Sequence, residues 1–259
     1  MADDLALLFH THQHMQEKTL RLSNFDQQAG LQISERKTDV MTLNVSAPEP
    51  VLLDDQALPS TETFTHLGSV VRQDGGTKED IHSRLSKATN AFRGLNAVWR
   101  SSQYSIKTKV KLYQSCVLST LFYRSECWRM TEYDLAKLSF FHRTNLRKIK
   151  RIFWPRTISN RDLIARCQQE DMEAIITRKR WCWIGHVLHK DANSITKVVI
   201  HWTPEGKRMR GRTKTTWRRT VEAEKKKMKH SWGTIQRLAR DIQRWKNFVA
   251  ALDTNWRDG

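Results

Sequence analysis

No stretch of this 259-residue chain approaches the roughly 18 consecutive apolar residues of a membrane span, so a membrane protein is not expected. The first residues carry no basic segment followed by an apolar core and a small-residue cleavage site, and no secretory signal peptide is expected. Cysteine is scarce. The four residues Cys116, Cys127, Cys167 and Cys182 are too few and too irregularly spaced for a disulfide scaffold, which points to a reduced, intracellular chain, nuclear or cytoplasmic. Tryptophan is absent before Trp99 although ten follow from there on, and no internal repeat is present.

Acidic residues are the minority, and unevenly so. The formal net charge is +18. Residues 1–75 hold five Lys/Arg against eleven Asp/Glu, a net of −6, which leaves 40 against 16, a net of +24, for the rest. That asymmetry places a boundary near Gly75-Gly76 and gives the second part the electrostatic footprint of a polyanion binder.

The pattern of apolar residues also changes there. Before Gly76 the period shifts repeatedly, as in an α+β unit. Leu5 to Phe9 reads as a short buried strand, and Met15, Thr19, Leu22, Phe25 and Ala29 as one helical face closed by Gly30. Met41, Leu43 and Val45 alternate as a strand, Val51 to Leu58 form a hairpin turning at Asp54-Asp55, and Phe64 to Val71 form a further strand. Past Gly76 helices take over. One stripe runs Ile81, Leu85, Ala88, Phe92, Leu95, Trp99. Ser105 opens a helix with Val110, Tyr113, Val117 and Leu121 inward, and Thr131 with Asp134 caps a third through Leu135, Leu138, Phe141, Leu146 and Ile149. Ser159 marks another start, Met172 to His189 a longer helix, residues 203–214 a basic linker, and Thr215 and Ser231 the last two helices. The final stripe is Ile235, Leu238, Ile242, Trp245, Val249 and Leu252. The expected fold class is therefore α+β: a small segment of antiparallel strands plus one helix over 1–75, a helical domain over 76–155, and a basic, Trp-rich helical domain over 156–259.

Three motifs in the first part occur in a telling order. Ala2-Asp3-Asp4-Leu5 is followed by Gly30-Leu31-Gln32-Ile33 leading to Lys37-Thr38, and then by Phe64-Thr65-His66-Leu67-Gly68. In the second part come Lys87-Ala88, Leu121-Phe122-Tyr123 with Glu126 and Trp128, Arg180-Trp181-Cys182-Trp183-Ile184-Gly185-His186-Val187, and Lys207 through Trp217. Together these resemble the palm, thumb and basic tail of non-LTR (LINE-type) retrotransposon reverse transcriptases. Met1 stands where that family has an aromatic, His66 where it has a tyrosine, and Arg124 where it has a glycine.

The resemblance implies an RNA-directed DNA polymerase ancestry, with Asp3 and Asp4 as Mg²⁺ ligands, Lys37 as proton donor to pyrophosphate, and His66 and Gly68 against the primer. Two-metal phosphoryl transfer needs carboxylates from separate strands. The family's other aspartate lies upstream of this turn, so the pair is expected to bind Mg²⁺ weakly and the isolated chain not to polymerise. What remains is nucleic-acid binding to RNA, DNA or both. The alternatives are a repurposed DNA- or RNA-binding module, or part of an active polymerase whose N-terminal half lies outside this chain.

The basic tail supports the binding reading from its own chemistry. Between Lys197 and Lys229 stand twelve Lys/Arg against three acids. Lys207, Arg208, Arg210, Arg212, Lys214, Arg218 and Arg219 are placed to neutralise phosphates, which confers salt-dependent affinity with little sequence information. Arg210-Gly211-Arg212 has the core of a minor-groove hook. Trp202 and Trp217 lack an apolar stripe and are candidates for stacking on bases. Cys167, Cys182, His186 and His189 invite a zinc reading, but no tight cysteine pair anchors one, and buried cysteine with capping or core histidine is the expectation.

Overall fold

Among the described residues at least half of the twelve α-helices begin at a capping side-chain oxygen, among them four at the residues that the sequence marks (Ser105, Thr131, Ser159, Ser231) and one at Thr216, one residue after the expected Thr215. Thr11, Ser105, Thr131, Ser159, Thr216 and Ser231 each accept a hydrogen bond from the backbone N–H three residues on. Each satisfies one of the donors that a first helical turn leaves without an intrahelical partner. The structure, a computed structural model, describes residues 5–9, 11–42, 48–191, 194–201 and 216–255. They divide into two units, one ending at Thr77 and one beginning at Lys78.

The first unit pairs a helix with two hairpins. α1 (His12–Gln28) lies on β1 (Leu52–Leu53), and the Gln16 amide both donates to the Leu52 carbonyl and accepts from the Leu52 N–H, at 2.8 Å each. A side-chain amide thus completes the open edge of the hairpin that β1 makes with β2 (Gln56–Ala57). Asp54 and Asp55 take left-handed φ values of 47° and 63°, the backbone a two-residue hairpin turn requires, as expected from the sequence. The core here is small: Val51, Leu53 and Leu58, with Met15, Ile33 and Val40 packed against it.

Two expectations for this unit change. Residues 64–71 do not form one strand but a second antiparallel hairpin, β3 (Thr63–His66) and β4 (Ser69–Arg72), turning at Leu67 and Gly68. Those two residues sit at φ 48° and 77°, and glycine adopts that region without a Cβ penalty. Leu5 to Phe9 is not a buried strand: it is irregular, and Leu8 is 83% exposed. No neighbouring strand among the described residues offers it a hydrogen-bonded ladder. Of the expected strand at Met41, Leu43 and Val45, Met41 is in no strand and Leu43 and Val45 lie outside the described residues; the preceding Val40 makes a single parallel bridge to Ser60.

The second unit is helical and has two cores. The first joins α2 (Lys78–Gly94), α3 (Asn96–Arg100), α4 (Ile106–Leu112), a π-helical stretch Tyr113–Leu118, α5 (Ser119–Leu121), α6 (Glu132–Lys150), α7 (Asn160–Arg166) and the start of α8 (Met172–Leu188). Its residues are largely those of the predicted stripes: Ile81, Ala88, Phe92, Trp99, Val110, Tyr113, Val117, Leu121, Leu138, Leu146 and Ile149. Two polar pairs cross it. The Trp128 indole donates to Asp80 at 2.7 Å, and the buried Lys109 ammonium donates to the carbonyls of Trp99 and Ser101, closing the C-terminal end of α3.

The second core gathers Trp181, Ile184, Val221, Ile235, Trp245, Val249 and Leu252 from α8, α10 (Trp217–Lys227), α11 (Trp232–Ala239) and α12 (Ile242–Asn255). The last stripe was expected on one helix from Ser231. The chain instead breaks at Arg240-Asp241, where Asp241 Oδ1 accepts from the N–H groups of Gln243 and Arg244 and starts α12 afresh. Ile242, predicted inward, is consequently exposed. A short α9 (Ile195–His201) was not foreseen. With two sheets of two strands each and a predominance of helix among the described residues, the fold is α+β, as expected. Among the described residues no helix is long and apolar enough to cross a membrane.

Candidate nucleic-acid interface

The described end of the basic tail is α10, and its burial pattern divides it lengthwise. Val221 and Glu224 are buried and Trp217 and Met228 half-buried along one side, while Arg219, Lys226 and Lys227 are exposed along the other. The spacing that places three cations together on the wet side is 219, 226, 227, one residue and its neighbours two turns on. Thr216 caps the helix through the Arg219 N–H, and the Arg218 guanidinium donates to the Ile200 carbonyl at 2.9 Å, tying α10 to the end of α9.

Trp217, a sequence candidate for stacking, has its indole N–H donating to the Glu126 carbonyl at 2.7 Å and its ring edge-to-face with Trp183, centroids 5.9 Å apart. In this geometry the side chain anchors the first turn of α10 against the body of the unit. Positioning of Arg218 and Arg219 follows from that anchor.

A buried ionic node holds the other end of α10. Glu224 accepts from the Arg180 guanidinium, from the Trp181 indole at 2.9 Å and from Thr177 Oγ1 at 3.3 Å, and Arg180 also donates to the Trp128 carbonyl at 3.1 Å. Burial pushes the Glu224 carboxyl up and the Arg180 guanidinium down, and each partner's charge opposes the shift of the other. That many donors on one carboxylate favour its charged form and offset part of the desolvation. Beside it a cavity of about 420 Å³ carries Arg219 and Lys227 from α10 and Glu132 and Glu173 from α6 and α8, so its charges are mixed rather than one-signed. Arg180 entered the sequence reading only as part of a motif and Glu224 only as one acid of the tail, since nothing along the chain pairs two residues 44 positions apart.

In the first unit Lys37 ends a 3₁₀ turn (Glu35–Lys37) and is exposed. His66 lies half-buried on β3 with its ring stacked on Phe64 at 6.1 Å, the two being second neighbours on one face of the strand, and Gly68 forms the turn beyond it. The Phe64-to-Gly68 motif is thus one face and the tip of a hairpin, with Leu67 exposed at the tip. Asp3, Asp4, Lys207, Arg208, Arg210, Arg212, Lys214 and Trp202, and the linker 203–214 as a whole, lie outside the described residues.

The four residues of the zinc reading take separate places. Cys167 closes α7 and is buried in the first core and His189 Nδ1 donates back to the Gly185 carbonyl at 2.6 Å, as a structural cysteine and a capping histidine are expected to, whereas Cys182 and His186 are exposed on α8 rather than in a core. Burial raises both thiols above the ordinary range. Among the described residues no group of three or more His, Cys, Asp or Glu is arranged to hold a metal ion.

Comparison with known proteins agrees with a mobile-element background. The chain is 25% identical over 270 residues to an uncharacterized, transposon-derived protein of Caenorhabditis elegans, and the match covers 98% of this chain and 95% of that protein. Such end-to-end similarity supports a transposon-related origin. No family model matches, and no solved structure matches.

Proposed function

We propose that this chain is a nucleic-acid-binding protein derived from the reverse transcriptase of a non-LTR retrotransposon, acting through its basic, helical second part. The observation that carries the reading is α10. Its apolar and acidic side is locked into the fold by Val221 and Glu224, which sets Arg219, Lys226 and Lys227 on its exposed side, Arg219 and Lys227 also lining the cavity with Glu132 and Glu173, directly after the cation run at 207–214 in the sequence. A cationic face on a rigid helix next to a cation-rich segment is the arrangement that neutralises phosphates without reading bases. The motif order from Asp3-Asp4 to Gly68 and the end-to-end likeness to a transposon-derived protein support the ancestry.

Equilibrium binding of a labelled oligonucleotide, followed by fluorescence anisotropy across salt, tests the proposal. Raising salt from about 50 mM to about 200 mM is expected to weaken binding by about 10³-fold or more, the response of a protein making six or more phosphate contacts. Affinity that does not change with salt would falsify it.

A further inference from the structure

α6 has a second, outward side. While Leu138, His142, Leu146 and Ile149 enter the first core, the opposite side lines an open groove of about 630 Å³, with Leu85 and Thr89 of α2 at its far wall. Two aromatic rings stand on it with no core to fill: Phe140 is 68% and Tyr133 62% exposed. Three cations accompany them, Lys137, Arg143 and Lys148, and among the described residues no carboxylate lines the groove. Lys137 Nζ sits 4.4 Å above the Tyr133 ring, and Lys148 Nζ lies 5.9 Å from the centroid of Phe92. Those rings hold the ammonium groups near the groove rather than leaving them to sweep through solvent.

We infer that this groove takes an unpaired segment of nucleic acid, with bases stacked on Tyr133 and Phe140 and phosphates held by Lys137, Arg143 and Lys148; the inference rests on the nucleic-acid reading above. Exposed rings next to cations are what a sequence-tolerant single-strand site requires, because every base offers a π-face and every linkage a charge. Tyr133 and Phe140 are seven residues apart, a rise of about 10 Å along the helix. At about 3.4 Å per nucleotide that spans about three steps of a strand. A duplex keeps its base faces buried in its own stack, so it can meet the cations but not the rings. The charge also decides between occupants: a strand with an acidic phosphate at every linkage complements a groove lined by three cations, whereas the helical second part of another copy, net +24 with the tail, would bring like charge.

The test uses the full chain, a fluorescein-labelled oligo-dT and a duplex of equal length, at one moderate salt concentration. Tyr133→Ala and Phe140→Ala are each expected to weaken oligo-dT binding about tenfold while leaving duplex binding as it is, and Phe140→Trp to retain wild-type affinity. Both positions are solvent-exposed, and the tryptophan variant separates loss of stacking from loss of folding. Wild-type protein that binds with its salt dependence while both alanine variants bind oligo-dT equally well overturns this inference alone. So does an equal loss on single strand and duplex, or a variant that alters self-association and not affinity. Absence of any oligonucleotide binding by the wild type overturns the parent reading as well.

Discussion

His142 sits almost wholly inside the first core, its ring stacked on Tyr113 at 5.7 Å and its Nδ1 3.0 Å from the Tyr113 hydroxyl. Burial, reinforced by the nearby Arg143 charge, pulls its pKa down to about 4. The unfolded value is about 6.5. Above that pH the ring is neutral in both states and stability is indifferent to it. As pH falls through the interval from about 6.5 to about 4, the unfolded chain binds a proton that the folded chain refuses, and stability declines. The expected loss from this group between about pH 7 and about pH 5 is about 2 kcal/mol. Urea denaturation at the two pH values, compared with His142→Phe, checks it: an equally steep decline in the variant would rule His142 out as the source. Gly185 shows the opposite kind of residue dependence. A Cβ there would fall within the Trp245 indole, so it is the missing side chain that lets α8 and α12 approach. Neither constraint was legible along the chain. His142 falls at the spacing of the α6 stripe, between Leu138 and Leu146, but as a polar residue it was not counted in it, and Gly185 was noted only as part of a motif; the ring each one meets comes from a distant element.

At the level of elements, α10 depends on one buried ion pair. Removing the carboxylate in Glu224→Ala leaves the Arg180 guanidinium buried opposite nothing, and the expected cost is about 3–5 kcal/mol by chemical denaturation. The double variant Glu224→Leu with Arg180→Met is expected to regain most of it, since a well-packed apolar pair removes the desolvation penalty along with the attraction. A double variant as unstable as the single one would show that packing, not the orphaned charge, set the cost. Helix starts were the most legible elements. Ser105, Thr131, Ser159 and Ser231 each cap where the sequence placed them, because a side-chain oxygen and an N–H three residues on interact locally. The Asp54-Asp55 hairpin was legible for the same reason. The second hairpin was not, since the apolar residues on either side of Leu67-Gly68, Phe64 before it and Val70 and Val71 after it, read as a single strand and hide the reversal. Asp241 was similarly concealed: the apolar period runs through it, and only its two backbone bonds show that the helix restarts.

Across the whole molecule, charge separates what hydropathy alone would blur. The net of −6 over residues 1–75 and +24 beyond them is why the proposed phosphate binding is placed on the second part. If the cations of the linker act together with the α10 face, changing Lys207, Arg208, Arg210, Arg212 and Lys214 to alanine lowers the steepness of log affinity against log salt by about 3.5 on a single strand to about 4.5 on a duplex. An unchanged slope would remove the linker from the interface and leave α10 and the α6 groove to carry it. The fold class, most of the inward stripes, the caps and the charge division were determined by the sequence itself, because each arises from neighbours a few residues apart or from composition. Tertiary structure alone decided which outward side chains stand together. The Arg180–Glu224 node joins residues 44 positions apart, and the α6 groove exists only because α2 lies beside α6, leaving Tyr133 and Phe140 exposed at its rim. Periodicity tells which side of a helix avoids water, but the partner across the gap is set by packing between elements far apart in the chain.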